Sequence, residues 1–286
     1  MASLFQPLSP RVGATAVLRP DELLDPSFAD VCLAALEKYG VLVFPRLGLS
    51  ADEQVTFTSS LGKAIPQGLP RSDGTPELIF KVSLDPRENL AAEYLKGTIH
   101  WHIDGATDDV PALATMLTSI RLAPSGGQTE FCNTYAAFED LPADEKPQYA
   151  ALRIVHSLEA ANRLMNPNPT EAEVARWRMK GAKEHPLAWR HQTGRTSLVL
   201  GATVDHVVGV SPEESRALVA HLTAHATRPE NVYRHEWQVG DLVIWDNIAV
   251  QHGRPAPPRD APRTIDRKST RLNSSHQVQS RMPSSA

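Results

Sequence analysis

The chain has 286 residues, of which 41% are hydrophobic and 22% charged, a balance typical of globular proteins and long enough to bury a core. A formal net charge of −4 argues against a nucleic-acid partner; no apolar run approaches the roughly 18 residues that span a bilayer, and no signal peptide is visible. Only Cys32 and Cys132 could pair, which excludes a disulfide framework and makes a reducing cytoplasm the expected compartment.

The pattern predicts a short strand over 14–19 and a helix over 25–40, with Ser27 as its cap and Gly40 as its end. A buried strand follows over 41–44. Ser50 and Glu53 form a capping box that opens a second helix, which stops at Gly62. Pro, Gly and charge make 66–76 a loop; 78–84 reads as a strand and 85–97 as a polar connection. Further strands are expected over 114–122, 129–133, 153–158, 187–190, 197–200, 233–237 and 241–245. Helices are expected over 134–140, 143–152 and 170–180, the last with Thr170 and Glu173 as a capping box, and from Ser211, where Ser211 and Glu214 form another, Pro212 sits in the first turn and Leu218, Val219 and Leu222 face inward. Many short strands with scattered helices suggest a mainly β fold with α insertions: a double-sheet jelly roll, or double-stranded β-helix, flanked by helices.

Two motifs carry chemistry. Trp101-His102-Ile103-Asp104 puts an imidazole and a carboxylate two residues apart; on a strand both would point to one face and could hold one metal. Trp245-Asp246-Asn247 leads to Gln251-His252, at the end of the apolar run 242–244. Two imidazoles and one carboxylate form the ligand set of a non-haem Fe(II) oxygenase, which leaves other positions on the metal open. His100 shares the expected face of His102 and Asp104, either as a third imidazole or as a group behind the ligands. Arg263 follows His252 by eleven residues, a cation suited to a dicarboxylate cosubstrate; Arg254 and Arg259 are rivals with poorer spacing.

With these residues in place, the chain over about 14–265 resembles the taurine and 2,4-dichlorophenoxyacetate dioxygenase family of Fe(II)/2-oxoglutarate enzymes. The resemblance rests on Trp101–Asp104, Gly126-Gly127-Gln128-Thr129, Trp245–Asn247 with Gln251-His252, and Arg263-Thr264-Ile265. It implies Fe(II) held by His102, Asp104 and His252. It also implies that Thr129 and Arg263 bind 2-oxoglutarate through a hydroxyl and a charge-assisted guanidinium pair. The implied reaction is hydroxylation of a small, anionic organic substrate with O2 and release of succinate and CO2. The carboxylate of Asp104 favours hydroxylation, since related halogenases lack it. Residues 62–68 lack the histidine that taurine enzymes carry there, so taurine itself is unsupported. The alternative is a non-catalytic jelly-roll protein that binds a small molecule. A homo-oligomer is compatible with the sequence; a membrane partner is not expected.

The final stretch reads differently. Residues 266–276 translate a common short-read sequencing adapter, and 280–286 translate its next segment across a short index. The expectation is therefore a single dioxygenase domain over 1–265, truncated at its C-terminal end, with 266–286 disordered. That tail holds one acid and four bases, so the domain proper is more acidic than the whole chain.

Overall fold

The computed structural model describes residues 4–66, 73–83, 96–122, 126–191, 193–255 and 266–273. The chain opens with β1 (Gln6–Pro7), β2 (Ala14–Thr15), α1 (Pro20–Leu23), α2 (Phe28–Tyr39) and β3 (Val41–Phe44). Next come α3 (Ala51–Leu61), β4 (Lys63–Ala64), β5 (Phe80–Val82), β6 (Ala114–Arg121), β7 (Thr129–Asn133), α4 (Thr134–Glu139) and α5 (Lys146–Ala151). An insertion holds β8 (Arg153–Ser157), α6 (Leu158–Met165), α7 (Glu171–Arg178), β9 (Ala182–Pro186), β10 (Ala188–Arg190), β11 (Thr196–Leu198) and β12 (Val204–Val207). The last elements are α8 (Pro212–Ala226), β13 (Val232–His235), β14 (Leu242–Asp246), β15 (Val250–Gly253) and β16 (Asp266–Asn273).

A large sheet runs β1-β2-β3-β14-β6-β16-β4, with β5 also on β16. A smaller sheet runs β13-β7-β15. Strand alternation explains how the two meet. In β3 and β14, Leu42, Phe44, Leu242 and Ile244 turn toward α2 and α3, where they pack with Phe28, Leu36 and Phe57. The intervening Val41, Val43, Val243 and Trp245 turn the other way and pack with Phe131 and Val250 of the smaller sheet. The period of two along a strand thus builds two apolar layers from one sheet. A separate core under α8 joins Leu222 and Ala226 to Ile154, Leu187, Leu198 and Val207 of the insertion.

The expected mainly β architecture with helical insertions is observed, and the differences are local. Ser27 does not cap α2; the Asp25 carboxylate instead accepts from the Ser27 amide at 2.8 Å and its hydroxyl at 2.6 Å, so a turn before the helix takes over that role. Ser50, Thr170 and Ser211 form the expected capping boxes. Helix α6 was not expected; its apolar residues Leu158, Ala161, Leu164 and Met165 do share one face, but the stretch is only two turns long and none of it is buried. Most of the loops expected over 66–76 and 85–97 lies outside the described residues.

The largest correction concerns the tail. Residues 266–273, expected to be disordered, form β16, which pairs antiparallel with β6 from Asp266↔Arg121 to Leu272↔Ala114. The edge of β6 is therefore covered. Leu272 is fully buried and Thr270 nearly so; the Thr270 hydroxyl meets Thr58 at 2.9 Å and Gln54 at 3.2 Å on α3. One apolar residue is too few to show periodicity. Backbone N–H and C=O groups along the edge of β6 favour pairing whatever the side chains are.

Candidate metal centre

His252 lies on β15, opposite Phe131 of β7. His102 lies outside the named strands, in a single antiparallel bridge to His252. The two residues exchange both backbone hydrogen bonds, His102 N–H to His252 O at 2.9 Å and the reverse at 3.0 Å. The strand expected for the His-x-Asp motif is therefore one residue pair long, and Asp104 already opens the turn that follows. Between them Ile103 is buried with Ala106, Trp189, Val199 and Ile248, which turns its neighbours toward the site. Two glycines permit this close approach. A Cβ on Gly253 would stand 3.2 Å from the His100 carbonyl oxygen, and one on Gly201, at φ +122°, would stand 3.0 Å from His102 Cα.

The result is compact. One donor atom from each of His102, Asp104 and His252 lies within 4.8 Å of the other two. The imidazole centroids are 4.1 Å apart, and His252 Nε2 is 3.7 Å from Asp104 Oδ2. His100 is not part of this group among the described residues. Its backbone carbonyl instead accepts from His102 Nδ1 at 2.9 Å. A carbonyl can only accept, so Nδ1 carries the proton and Nε2 keeps its lone pair for a metal.

Different forces hold the carboxylate and the imidazoles. Asp104 Oδ2 accepts from the Thr115 hydroxyl on β6 at 2.9 Å, and Oδ1 accepts from Arg271 on β16 at 2.8 Å. Thr115 in turn accepts from Asn247 Nδ2 at 2.7 Å, and Asn247 Oδ1 accepts from Trp245 Nε1 at 3.0 Å. Burial alone would raise the Asp104 carboxyl. Arg271, the two imidazoles and the Thr115 bond outweigh it and hold the group well below the usual carboxylate range. His252 instead packs on Trp245 (centroids 4.6 Å) and Phe131 (6.4 Å). Burial first, then His102 and Arg271, push it down to about 3 against the pull of Asp104, so it is neutral and able to ligate at ordinary pH. Its Nδ1 is buried without a hydrogen-bond partner.

The remaining expected residues divide. Thr129, on β7, is buried and accepts from Trp237 Nε1 at 3.0 Å; two positions before Phe131, it shares the face that packs between the sheets. Arg263 and Arg259 lie outside the described residues. The side chain of Arg254 is engaged with the Thr98 hydroxyl at 2.9 Å. The sequence reading missed Arg271, because it assigned that stretch to a structureless tail. It also missed Thr115, and it placed Asn247 in a motif without a role; both roles depend on the register Trp245↔Thr115 between β14 and β6. Asp246, named there only as part of the motif, has an Oδ1 that accepts from the amides of Ile248 at 2.9 Å and Ala249 at 3.2 Å, making the turn that delivers His252.

Comparison with known proteins agrees with this geometry. A family model described as taurine catabolism dioxygenase TauD, TfdA family, matches residues 4–267. The alpha-ketoglutarate-dependent 2,4-dichlorophenoxyacetate dioxygenase of Burkholderia sp. (strain RASC) is 36% identical over 230 residues, covering 76% of this chain and 76% of that protein. The alpha-ketoglutarate-dependent sulfate ester dioxygenase of Pseudomonas putida is 32% identical over 257 residues, covering 86% and 82%. Among solved structures, AAD-2 in complex with Mn(II) and N-oxalylglycine superposes with a TM-score of 0.79 at 26% identity, covering 96% of this chain and 98% of that one.

Proposed function

Because this chain belongs to the TauD/TfdA family of dioxygenases, we propose that it hydroxylates a small anionic organic molecule, releasing succinate and CO2. It is a 2-oxoglutarate-dependent dioxygenase that uses iron. In this reading the facing sheets are a double-stranded β-helix, and His102, Asp104 and His252 hold Fe(II). The observation that carries the assignment is the convergence of two imidazoles and one carboxylate from distant parts of the chain within 4.8 Å. That donor set suits Fe(II) and leaves room on the metal for a cosubstrate. The His102 tautomer, fixed by the His100 carbonyl, and His252 Nε2, 3.7 Å from Asp104 Oδ2, fit a pocket built around a cation.

Bound there, Fe(II) supplies the redox chemistry by which O2 and 2-oxoglutarate oxidise a substrate C–H. The protein's part is placement. Asp104 is ionised and His252 neutral, so neither must lose a proton before the metal arrives. Phe131 and Trp245 exclude water from one wall of the site. We assign the 2-oxoglutarate contacts to Thr129 and Arg263.

An anionic substrate is supported by the names of the relatives, which act on a phenoxyacetate and on sulfate esters. Anaerobic addition of Fe(II) and then 2-oxoglutarate should give a metal-to-ligand charge-transfer band, and O2 with a panel of aryloxyalkanoates and alkyl sulfates should give coupled succinate. A protein that binds neither Fe(II) nor 2-oxoglutarate would sink the proposal; binding without any coupled turnover would sink only the substrate class.

A further inference from the structure

The polar chain behind Asp104 runs in one direction. Trp245 Nε1–H is only a donor, so its bond to Asn247 Oδ1 fixes which way the Asn247 amide faces. The Asn247 NH2 is then left to donate to the Thr115 hydroxyl oxygen. With that oxygen accepting, the single Thr115 proton goes to Asp104 Oδ2. Each link settles the next, and the last donor always points at the carboxylate. All three supporting side chains are buried, with Asn247 at 0% exposure and Thr115 and Trp245 at 2% each, so water does not compete for these bonds. The chain also crosses between strands. Trp245 and Thr115 are register partners on β14 and β6, and Asn247 is held at the end of β14 by its own amide bond to the Leu113 carbonyl at 3.1 Å.

We propose that Thr115 and Asn247 are positioning residues for the metal: they hold the Asp104 carboxylate in its ligating orientation before iron arrives. Trp245 begins the chain while its ring lies against His252, so one side chain sets the orientation of two ligands. The proposal rests on the reading of His102, Asp104 and His252 as a metal site. It adds that the affinity of that site depends on a donor relay none of whose members touches the metal. A carboxylate not oriented in this way would have to be ordered at the moment of binding, at the expense of affinity.

The test is Co(II) and Fe(II) titration of metal-free full-length protein under anaerobic conditions, read by the Co(II) ligand-field spectrum and the dissociation constant, with no cosubstrate or turnover. Thr115→Val keeps the shape and removes the hydroxyl; Asn247→Asp keeps the shape and replaces the donor with an acceptor, which turns the Thr115 proton away from Asp104. Both should weaken metal binding by about 10- to 100-fold and alter the Co(II) bands. Thr115→Ser should restore binding to within about threefold of wild type, because the relay needs a hydroxyl and not a methyl. The thermal midpoint of each metal-free variant separates a loss of fold from a loss of affinity, and Asn247→Asp alone decides the matter if Thr115→Val does not fold. Wild-type binding with unchanged constants and spectra in folded variants would overturn the proposal. Absence of Co(II) and Fe(II) binding by the wild type would instead overturn the metal site itself.

Discussion

The two sides of the proposed metal centre are built from opposite materials. On the Asp104 side, the large sheet offers donors: Thr115 and Arg271 reach the carboxylate and Asn247 stands behind Thr115. On the His252 side both sheets offer rings, Trp245 and Phe131 packing on the imidazole while Nδ1 has no partner. The difference follows from charge. A buried carboxylate must be compensated by hydrogen bonds or cations, whereas a neutral imidazole can be placed by packing alone. The consequence is that the carboxylate can be disturbed electrostatically without a cavity, and His252 only by disturbing the core.

Mutations can break this contrast. Asp104→Ala and His252→Ala should each abolish succinate formation and Fe(II) binding; retention of either by a folded variant would break the assignment of that residue. Phe131→Ala should cost about 3–5 kcal/mol of stability, visible as a large fall in thermal midpoint, while Thr115→Val should cost far less. Equal losses would mean that the two sides are not built differently. Arg263→Ala tests the proposed 2-oxoglutarate contact. Removing the arginine that holds 2-oxoglutarate should raise its half-saturation about 10- to 100-fold, the worth of a charged hydrogen-bonded pair. If Arg263→Ala leaves the half-saturation unchanged, the spacing argument for Arg263 fails.

A smaller effect sharpens the histidine side. His156 is pushed down to about 3 by burial, then by His185, much as His252 is, but it lies on β8, where its Nδ1 contacts the Thr203 hydroxyl at 2.8 Å. Such a histidine is neutral when folded and takes up a proton on unfolding. Its contribution is therefore present above about pH 6.5 and is lost as pH falls toward 3. His156→Gln should lower the pH dependence of unfolding free energy by about 1.4 kcal/mol per pH unit near pH 5. An unchanged slope would show that burial is not what holds this group neutral.

Much of the centre was legible because its chemistry is written in short stretches. His102 and Asp104 are two residues apart, and His252 follows an apolar run that could only be a buried strand. The mainly β architecture was legible from strand length, and α3, α7 and α8 from their capping boxes. What escaped was what pairing decides. Thr115 and Asn247 look ordinary until the register of β14 on β6 brings them together. Arg271 and β16 escaped because a backbone edge recruits a strand with almost no apolar signature. Most of the 85–97 connection and Arg263 itself lie outside the described residues.

The bridge between His102 and His252 also sets a clock. The first two proposed ligands leave the ribosome on the order of ten seconds before the third, at ordinary rates of synthesis. During that interval β14 has not been made, so β3 and β6 lack the strand that joins them, and the nascent chain offers a metal only a histidine and a carboxylate. The backbone pairing of residues 102 and 252 is therefore a late event in the life of each molecule. In the proposed reading, the full ligand set exists only once the finished sheets bring residues 102 and 252 together.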